Sequence, residues 1–105
     1  MSLERDLVAE CQTVAVAMNA FLAVVGQRNA RKSGSTLGFP DLVLICGGRT
    51  VLIEMKQPKT GRLSVGQQAF IQRAAEQGVR VFVVDCVEDF VQVVNSCRRR
   101  ARAEA

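Results

Sequence analysis

Two acidic residues lie in otherwise apolar, β-branched stretches of a basic chain: Asp41 begins the stretch DLVLIC, and Glu54 lies within RTVLIEMK. A carboxylate in an apolar environment destabilises a protein by several kcal/mol unless it is paired or binds a metal ion. Lys56 follows Glu54 by two residues, so both side chains would point to the same face of a strand. These three residues predict a site that contains two carboxylates and one ammonium group.

The dipeptide Gly47-Gly48 between the two stretches predicts a β-hairpin with a two-residue turn, because the primed turns need positive φ. Counting outward from such a turn places Asp41 directly opposite Glu54. Directly opposed Cβ atoms lie about 5 Å apart, and like charges at that distance destabilise a sheet. In a partly dry site one of the two carboxyl groups would resist ionisation. A divalent cation between the two carboxylates would remove this repulsion.

Oxygen ligands of this kind suit Mg²⁺ or Mn²⁺, which usually keep several waters and accept further ligands from substrate phosphate. A water held by such an ion is a nucleophile, and Lys56 can position it, deprotonate it or stabilise charge that develops on phosphorus. The predicted chemistry is therefore hydrolysis of a phosphodiester. The alternative is that Asp41 only begins a strand and that Glu54 and Lys56 form a surface ladder. The shared register of the three residues favours the metal site.

The charge distribution favours a polyanionic partner, of which nucleic acid is the obvious example. The chain carries a net charge of +4, and residues 11–75 contain only two acids, Asp41 and Glu54. Trp and Tyr are absent, which argues against a protein that stacks single-stranded bases on aromatic side chains. The basic residues of this region are Arg28, Arg31, Lys32, Arg49, Lys56, Lys59, Arg62 and Arg73. We predict that Arg28, Arg31, Lys32, Lys59 and Arg62 bind DNA.

Several kinds of catalytic site are excluded because the chain has no histidine. A Ser-His-Asp triad, a Cys-His dyad and a histidine general base therefore cannot be built. The four cysteines include no C-x₂-C pair, so a zinc site of the ordinary type is not expected. We predict that these thiols are small residues of the core.

The length of 105 residues predicts one domain, 1–105, with a basic tail from about residue 98. No apolar run reaches the roughly 18 residues that cross a bilayer. Glu4 and Asp6 lie where a signal peptide would be basic. We therefore expect no membrane association and a soluble protein of the cytoplasm, in a prokaryotic cell or a phage-infected host.

The elements around the acid pair follow from periodicity and turn signals. Apolar residues at spacings of three and four predict one long helix over residues 3–25, ended by Gly26, and the polar segment 27–40 predicts a loop that contacts a ligand. Both faces of the hairpin strands are apolar, so we expect the hairpin to be central in the sheet and covered on both sides.

The second half of the chain contains two helices and one strand. Ser64 and Gln67 form a capping box that opens a helix to about residue 77, with Gly78 as its stop. Residues 79–85 predict a buried strand, and a last helix follows, with the Arg-rich tail fraying into solvent. The order α-β-β-α-β-α predicts an α/β fold with a mixed central sheet flanked by helices.

The segments Gly38-Phe39-Pro40-Asp41 and Ile53-Glu54-Met55-Lys56 resemble the PD-(D/E)xK nuclease signature, and the surrounding sequence resembles its VRR-NUC family. The resemblance extends over most of the chain. It implies a restriction-endonuclease-like core and a Mg²⁺- or Mn²⁺-dependent endonuclease that hydrolyses DNA phosphodiester bonds. Its further parts are Glu10-Cys11-Gln12, Arg28-Asn29, Leu63-Ser64 and Gln67.

The resemblance also implies roles for particular residues. Asp41, Glu54 and the backbone carbonyl of Met55 would bind the metal ion, and Asp41, Glu54, Lys56, Gln67 and Glu10 would be catalytic. Two assignments stay open. Glu4 and Glu10 lie on opposite borders of the apolar stripe of the first helix, so either one fits the acid of that helix. Gln67 has a second role in the capping box, so Gln68 is an alternative for the side chain that reaches the site.

Free-standing members of this family resemble junction-resolving enzymes and act as homodimers, which implies a homodimer that cuts branched or Holliday-junction-like DNA. We expect the apolar stripes of the first and last helices to form the dimer contact, unless they only cover the chain's own sheet. The alternative functions are a catalytically inactive nuclease-like module that binds DNA or a partner, and a small assembly subunit. The intact Asp41, Glu54 and Lys56 favour the enzyme.

Overall fold

The computed structural model describes residues 3–25, 36–56 and 61–104, which form three helices and four strands. The predicted loop before residue 36 and the predicted end of the second hairpin strand at Pro58 lie outside these residues. The elements are, in chain order, α1 (Leu3–Ala17), β1 (Phe21–Val24), β2 (Leu42–Cys46), β3 (Arg49–Met55), α2 (Val65–Glu76), β4 (Val81–Val84) and α3 (Val87–Glu104).

The four strands form one mixed sheet in the order β1-β2-β3-β4. Strands β1 and β2 are antiparallel, as are β2 and β3, and β3 and β4 are parallel. The predicted hairpin is therefore confirmed as the centre of a mixed sheet. Its turn has φ of 62° at Gly47 and 79° at Gly48, the positive values that a primed turn needs.

The first helix is shorter than the sequence pattern predicts, and the prediction that it extends to residue 25 is wrong. Asn19 adopts a left-handed φ of 57°. The Ala20 N–H donates to the Ala15 carbonyl at 2.8 Å, and the Asn19 N–H donates to the Val16 carbonyl at 3.1 Å. These two bonds make a Schellman motif, which satisfies the last helical carbonyls and turns the chain away from the helix axis. Residues 21–24 then form the edge strand β1 rather than two more helical turns.

One face of the sheet contains the core. Buried side chains from α1 and α3 pack there against the strands, so the expected dimer stripes of both helices are used inside the chain. The other face is less covered, because Phe21 is 61% exposed, Ile45 43% and Val83 44%. The expectation that the hairpin is covered on both sides is therefore wrong at Ile45 of β2, whereas Glu54 on the same face is buried. The core residues are Leu7, Cys11, Ala15, Leu22, Leu42, Leu44, Cys46, Ile53, Met55, Val84, Phe90, Val93, Val94 and Cys97.

Helix α2 begins where predicted. In the capping box of α2, the Ser64 hydroxyl accepts from the Gln67 N–H, and the Gln67 side chain accepts from the Ser64 N–H. A second Schellman motif, with Gly78 at φ of 82°, ends α2. Helix α3 continues to Glu104, so the prediction that the basic tail frays is wrong. None of the helices in the described ranges combines the length and apolar character needed to cross a membrane.

Candidate functional site

The register of the hairpin brings the two predicted carboxylates together. Leu42 pairs with Ile53 at the end of the ladder, so Asp41 lies opposite Glu54 at the next position. The Asp41 backbone N–H donates a hydrogen bond of 3.2 Å to Glu54 Oε2. The Asp41 carbonyl accepts from the Val25 N–H at 2.7 Å, which ties this end of β2 to the end of β1. Backbone contacts on both sides therefore fix the position of Asp41.

Glu54 is the buried charged residue of the described core, with 1% of its surface exposed. Burial, followed by the neighbouring Asp41 carboxyl, raises the pKa of Glu54 to about 7. Burial also raises the pKa of Asp41, although its hydrogen bond with the Glu54 side chain and the charge of Lys56 act in the opposite direction. The metal-free pair therefore resists full ionisation, and Glu54 titrates near neutral pH.

Gln67 joins this pair from helix α2. Its Nε2 donates a hydrogen bond to Glu54 Oε1. Its Oε1 accepts from the Ser64 N–H at 2.8 Å, so the backbone of the cap fixes which end of the amide faces Glu54. Gln67 thus performs both predicted roles, because it caps α2 and also reaches the carboxylate pair. Gln68 Nε2 instead donates to the Leu63 carbonyl at 3.1 Å, away from the carboxylate pair.

Lys56 and Met55 lie at the end of β3, directly after Glu54. Lys56 is half-buried, and its charge lowers the pKa of both carboxyl groups, against the larger effect of burial. The Lys56 N–H donates to the Val84 carbonyl at 2.8 Å, which anchors this residue to the neighbouring strand. The Met55 side chain is fully buried in the core. Only the backbone of Met55 is therefore available to the site.

The remaining predicted residues are not joined to this cluster. Glu10 is exposed and Glu4 is half-buried on α1. Within the described ranges, no hydrogen bond connects either acid to Asp41, Glu54 or Gln67. Arg62 is exposed just before the cap of α2. The other predicted DNA-binding residues, Arg28, Arg31, Lys32 and Lys59, lie outside the described residues.

The chemistry of the donor set fits a hard divalent cation. Two carboxyl groups converge at one end of the hairpin, and the more buried one resists ionisation because of its surroundings. A cation that binds oxygen ligands would stabilise both in the ionised form. Both oxygens of Glu54 are oriented by hydrogen bonds, from Gln67 Nε2 and the Asp41 N–H. The fold thus fixes the orientation of the Glu54 carboxyl group.

A second group of potential ligands, which the sequence analysis missed, lies at the start of α3. Ligand atoms of Asp85, Cys86 and Asp89 lie within 4.8 Å of one another. The backbone hydrogen bond with Asp89 lowers the pKa of the Cys86 thiol, but burial and the Asp89 and Glu88 side chains raise it above its usual value. A protonated thiol is a poor ligand, and acids at a helix N-terminus stabilise the helix dipole. This group is therefore explained by the start of the helix.

Comparison with known proteins shows the family and agrees with the fold. A family model described as the VRR-NUC domain matches residues 2–88. A solved structure described as "VRR_NUC domain" superposes with a TM-score of 0.70 at 17% identity, over 90% of this chain and 97% of that chain. Another, described as "VRR_NUC domain protein", gives 0.73 at 14% identity, over 91% and 88%. No curated protein matches the chain significantly in sequence.

Proposed function

The chain belongs to the VRR-NUC domain family, and from this membership and the cluster of Asp41, Glu54 and Gln67 we propose that it is a divalent-metal-dependent endonuclease acting on DNA. The observation that carries the proposal is the burial of Glu54, 1% exposed, against a second carboxyl group. A buried pair of acids destabilises the fold, whereas a bound divalent cation would stabilise both carboxyl groups in their ionised form.

Asp41, Glu54 and the backbone carbonyl of Met55 would hold Mg²⁺ or Mn²⁺. When bound, the ion would neutralise the two carboxylates and activate water for attack on phosphorus. Gln67 keeps the Glu54 carboxylate in one orientation through its Nε2 donor. Lys56 lies two residues along the same strand face, where its ammonium group would position the attacking water or stabilise charge developing on the phosphate. Glu10 or Glu4 would supply the acid of the first helix.

The proposed DNA contacts rest on the positive charge of arginine and lysine side chains. Arg62 is exposed beside the N-terminus of α2, close in sequence to the cap that orients Gln67. Arg28, Arg31, Lys32 and Lys59 would add contacts to the phosphate backbone, so binding should weaken steeply as salt rises. The family resemblance supports branched or junction DNA as the substrate and a homodimer as the working unit. Action in the cytoplasm stays a prediction from the sequence.

The decisive experiment is a cleavage assay on four DNA substrates: a duplex, a flap, a fork and a four-way junction. Each is incubated with the protein in EDTA, Mg²⁺ or Mn²⁺. We expect cleavage only with metal, and highest on a branched substrate. Asp41→Ala, Glu54→Ala and Lys56→Ala should each reduce the rate by about 10²-fold or more while DNA binding is largely kept.

The matched control is Arg73→Ala, which removes an exposed basic residue of α2 that we have not placed at the site. Its rate should stay near that of the wild type. Cleavage that persists in excess EDTA, or that survives Glu54→Ala in clean preparations, would contradict the metal mechanism. DNA binding without cleavage of any of the four substrates would instead favour an inactive nuclease-like binding module.

A further inference from the structure

The loop that leads to Asp41 touches the first turn of α2 through two glycines. Gly38 has φ of 81°, in the left-handed region. A Cβ built on Gly38 would overlap the backbone carbonyl of Gly66 and lie 2.8 Å from the Gln67 nitrogen. Contacts under about 3 Å do not occur at real Cβ atoms, so the backbones can approach this closely only because residue 38 has no side chain.

A second contact joins the same loop to the same side of α2. The rings of Phe39 and Phe70 meet edge to face, with centroids 5.2 Å apart. Gly66 and Phe70 are four residues apart, so they lie on one face of the helix. Gln67 lies directly after Gly66, within the contact. The loop that carries Asp41 and the helix that carries Gln67 are therefore packed against each other at two adjacent points.

We propose that Gly38 is a positioning residue of the site: its missing side chain sets the distance between the Asp41 loop and α2, and so places Gln67 against Glu54. This inference rests on the proposed function. The three atoms nearest to a Cβ built on Gly38 belong to Gly66 and Gln67. The effect of Gly38 passes through the Gln67 backbone and side chain, whose Nε2 donates to Glu54 Oε1. Displacing a group of an active site by about 1 Å costs about 10²-fold in rate.

The chain provides two controls for Gly38→Ala. Gly48→Ala places a Cβ at nearly the same left-handed φ, 79°, but with no atom within 4 Å. It therefore reproduces the backbone strain without the clash. Gly66→Ala adds a Cβ on the other side of the contact, where the nearest atom, the Gly38 nitrogen, lies at an ordinary 3.8 Å. Alanine is also a better helix former than glycine, so this variant should be stable.

The test measures Mn²⁺ affinity by calorimetry without DNA, and the cleavage rate at saturating DNA. Gly38→Ala should weaken Mn²⁺ binding by about tenfold and lower the rate by about 10²-fold. Gly48→Ala and Gly66→Ala should stay within about threefold of the wild type in both. In the metal-free protein, the Gln67 side-chain amide resonances should shift in Gly38→Ala and not in Gly48→Ala. Equal values for Gly38→Ala and Gly48→Ala would overturn the inference.

The double variant Gly38→Ala/Gln67→Ala tests whether Gly38 acts through Gln67. We expect Gly38→Ala to have little further effect on Mn²⁺ affinity in the Gln67→Ala background, because the side chain through which Gly38 affects Glu54 is already missing. Full additivity would overturn the inference. If Gly38→Ala does not fold cooperatively, Phe70→Leu loosens the same contact without backbone strain. Phe70→Leu should also weaken Mn²⁺ binding, and an unchanged Mn²⁺ affinity would overturn the inference.

The outcomes separate this inference from the proposed function. A wild-type protein that neither binds Mn²⁺ nor cleaves DNA would show that the proposed function is wrong, and the positioning role would be wrong with it. A wild type that does both, with Gly38→Ala no different from its controls, would show that only the role of Gly38 is wrong.

Discussion

Glu54 is buried opposite Asp41 and accepts a hydrogen bond from Gln67. In the metal-free protein, these surroundings link stability to pH. The folded-state pKa of Glu54 is about 7, above its usual value of 4.5. Between these values the unfolded chain releases the proton that the folded protein keeps, so the stability contributed by protonated Glu54 is present below about pH 4.5 and lost as pH rises to about 7.

We therefore expect the free energy of unfolding in EDTA to fall between pH 4.5 and 7, by an amount on the order of a few kcal/mol. Glu54→Gln, which keeps the shape without the titration, should remove most of that fall. Urea denaturation at several pH values measures both proteins. A wild-type curve that is flat or rises over this window would contradict the assigned pKa direction.

Asp41 provides a separate test of whether the two carboxylates share an ion. Without metal, Asp41→Asn should be neutral or stabilising, because it removes a like-charge neighbour of Glu54 and keeps the backbone N–H that donates to Oε2. Addition of Mn²⁺ should raise the melting temperature of the wild type, and that of the variant less. Equal melting curves for both proteins, with and without Mn²⁺, would show that Asp41 and Glu54 do not hold an ion together.

The sequence predicts the acid pair because a two-residue glycine turn determines the register of the whole hairpin. It leaves Gln67 and Gln68 undecided because both follow Ser64 within one helical turn. The distinction depends on the contact between α2 and the Asp41 loop, which involves the close approach of Gly38 to Gly66. Such tertiary contacts leave no periodic pattern in the sequence. The residue types of the site are therefore predictable from the sequence, but which glutamine reaches Glu54 is not.

At the scale of elements, the turn at Asn19 separates α1 from β1. The sequence pattern does not reveal this turn, because Met18, Phe21 and Val25 continue the helical spacing of apolar residues and because asparagine is a weaker helix stop than glycine. This turn determines where α1 ends and also adds a strand to the sheet. Strand β1 pairs with β2 from Val24↔Leu42 to Phe21↔Ile45, so it supports the strand that begins beside Asp41.

The left-handed φ of 57° at Asn19 predicts how substitutions there behave. Asn19→Gly should be neutral or stabilise the protein by a few tenths of a kcal/mol, because glycine adopts this conformation without a Cβ clash. Asn19→Ala should destabilise it by about 1 kcal/mol. Urea denaturation measures both variants. Equal stability of the alanine and glycine variants would show that the Schellman turn does not determine where α1 ends.

At the scale of the whole molecule, the apolar stripes of α1 and α3 are occupied by the chain's own sheet. The large apolar side chains left exposed on the opposite sheet face are Phe21, Ile45 and Val83. Phe21 and Ile45 are cross-strand partners, so they form one continuous surface. Val83 is the register partner of Glu54, and Ile45 lies four residues after Asp41, so these side chains lie on the same face of the sheet as the proposed site.

We predict that the protein is a two-fold symmetric homodimer whose contact includes this surface. One site cuts one strand at a time, whereas paired cuts in a junction require two sites at a fixed separation, and two-fold symmetry is the commonest closed assembly. Light scattering on a gel-filtration peak should give twice the chain mass of 11.4 kDa. Phe21→Ser should weaken the dimer, whereas Val65→Ser, at an 84% exposed position of α2, should not. A monomer mass at tens of micromolar, unchanged by DNA, would make the enzyme a nicking or flap-cutting nuclease instead.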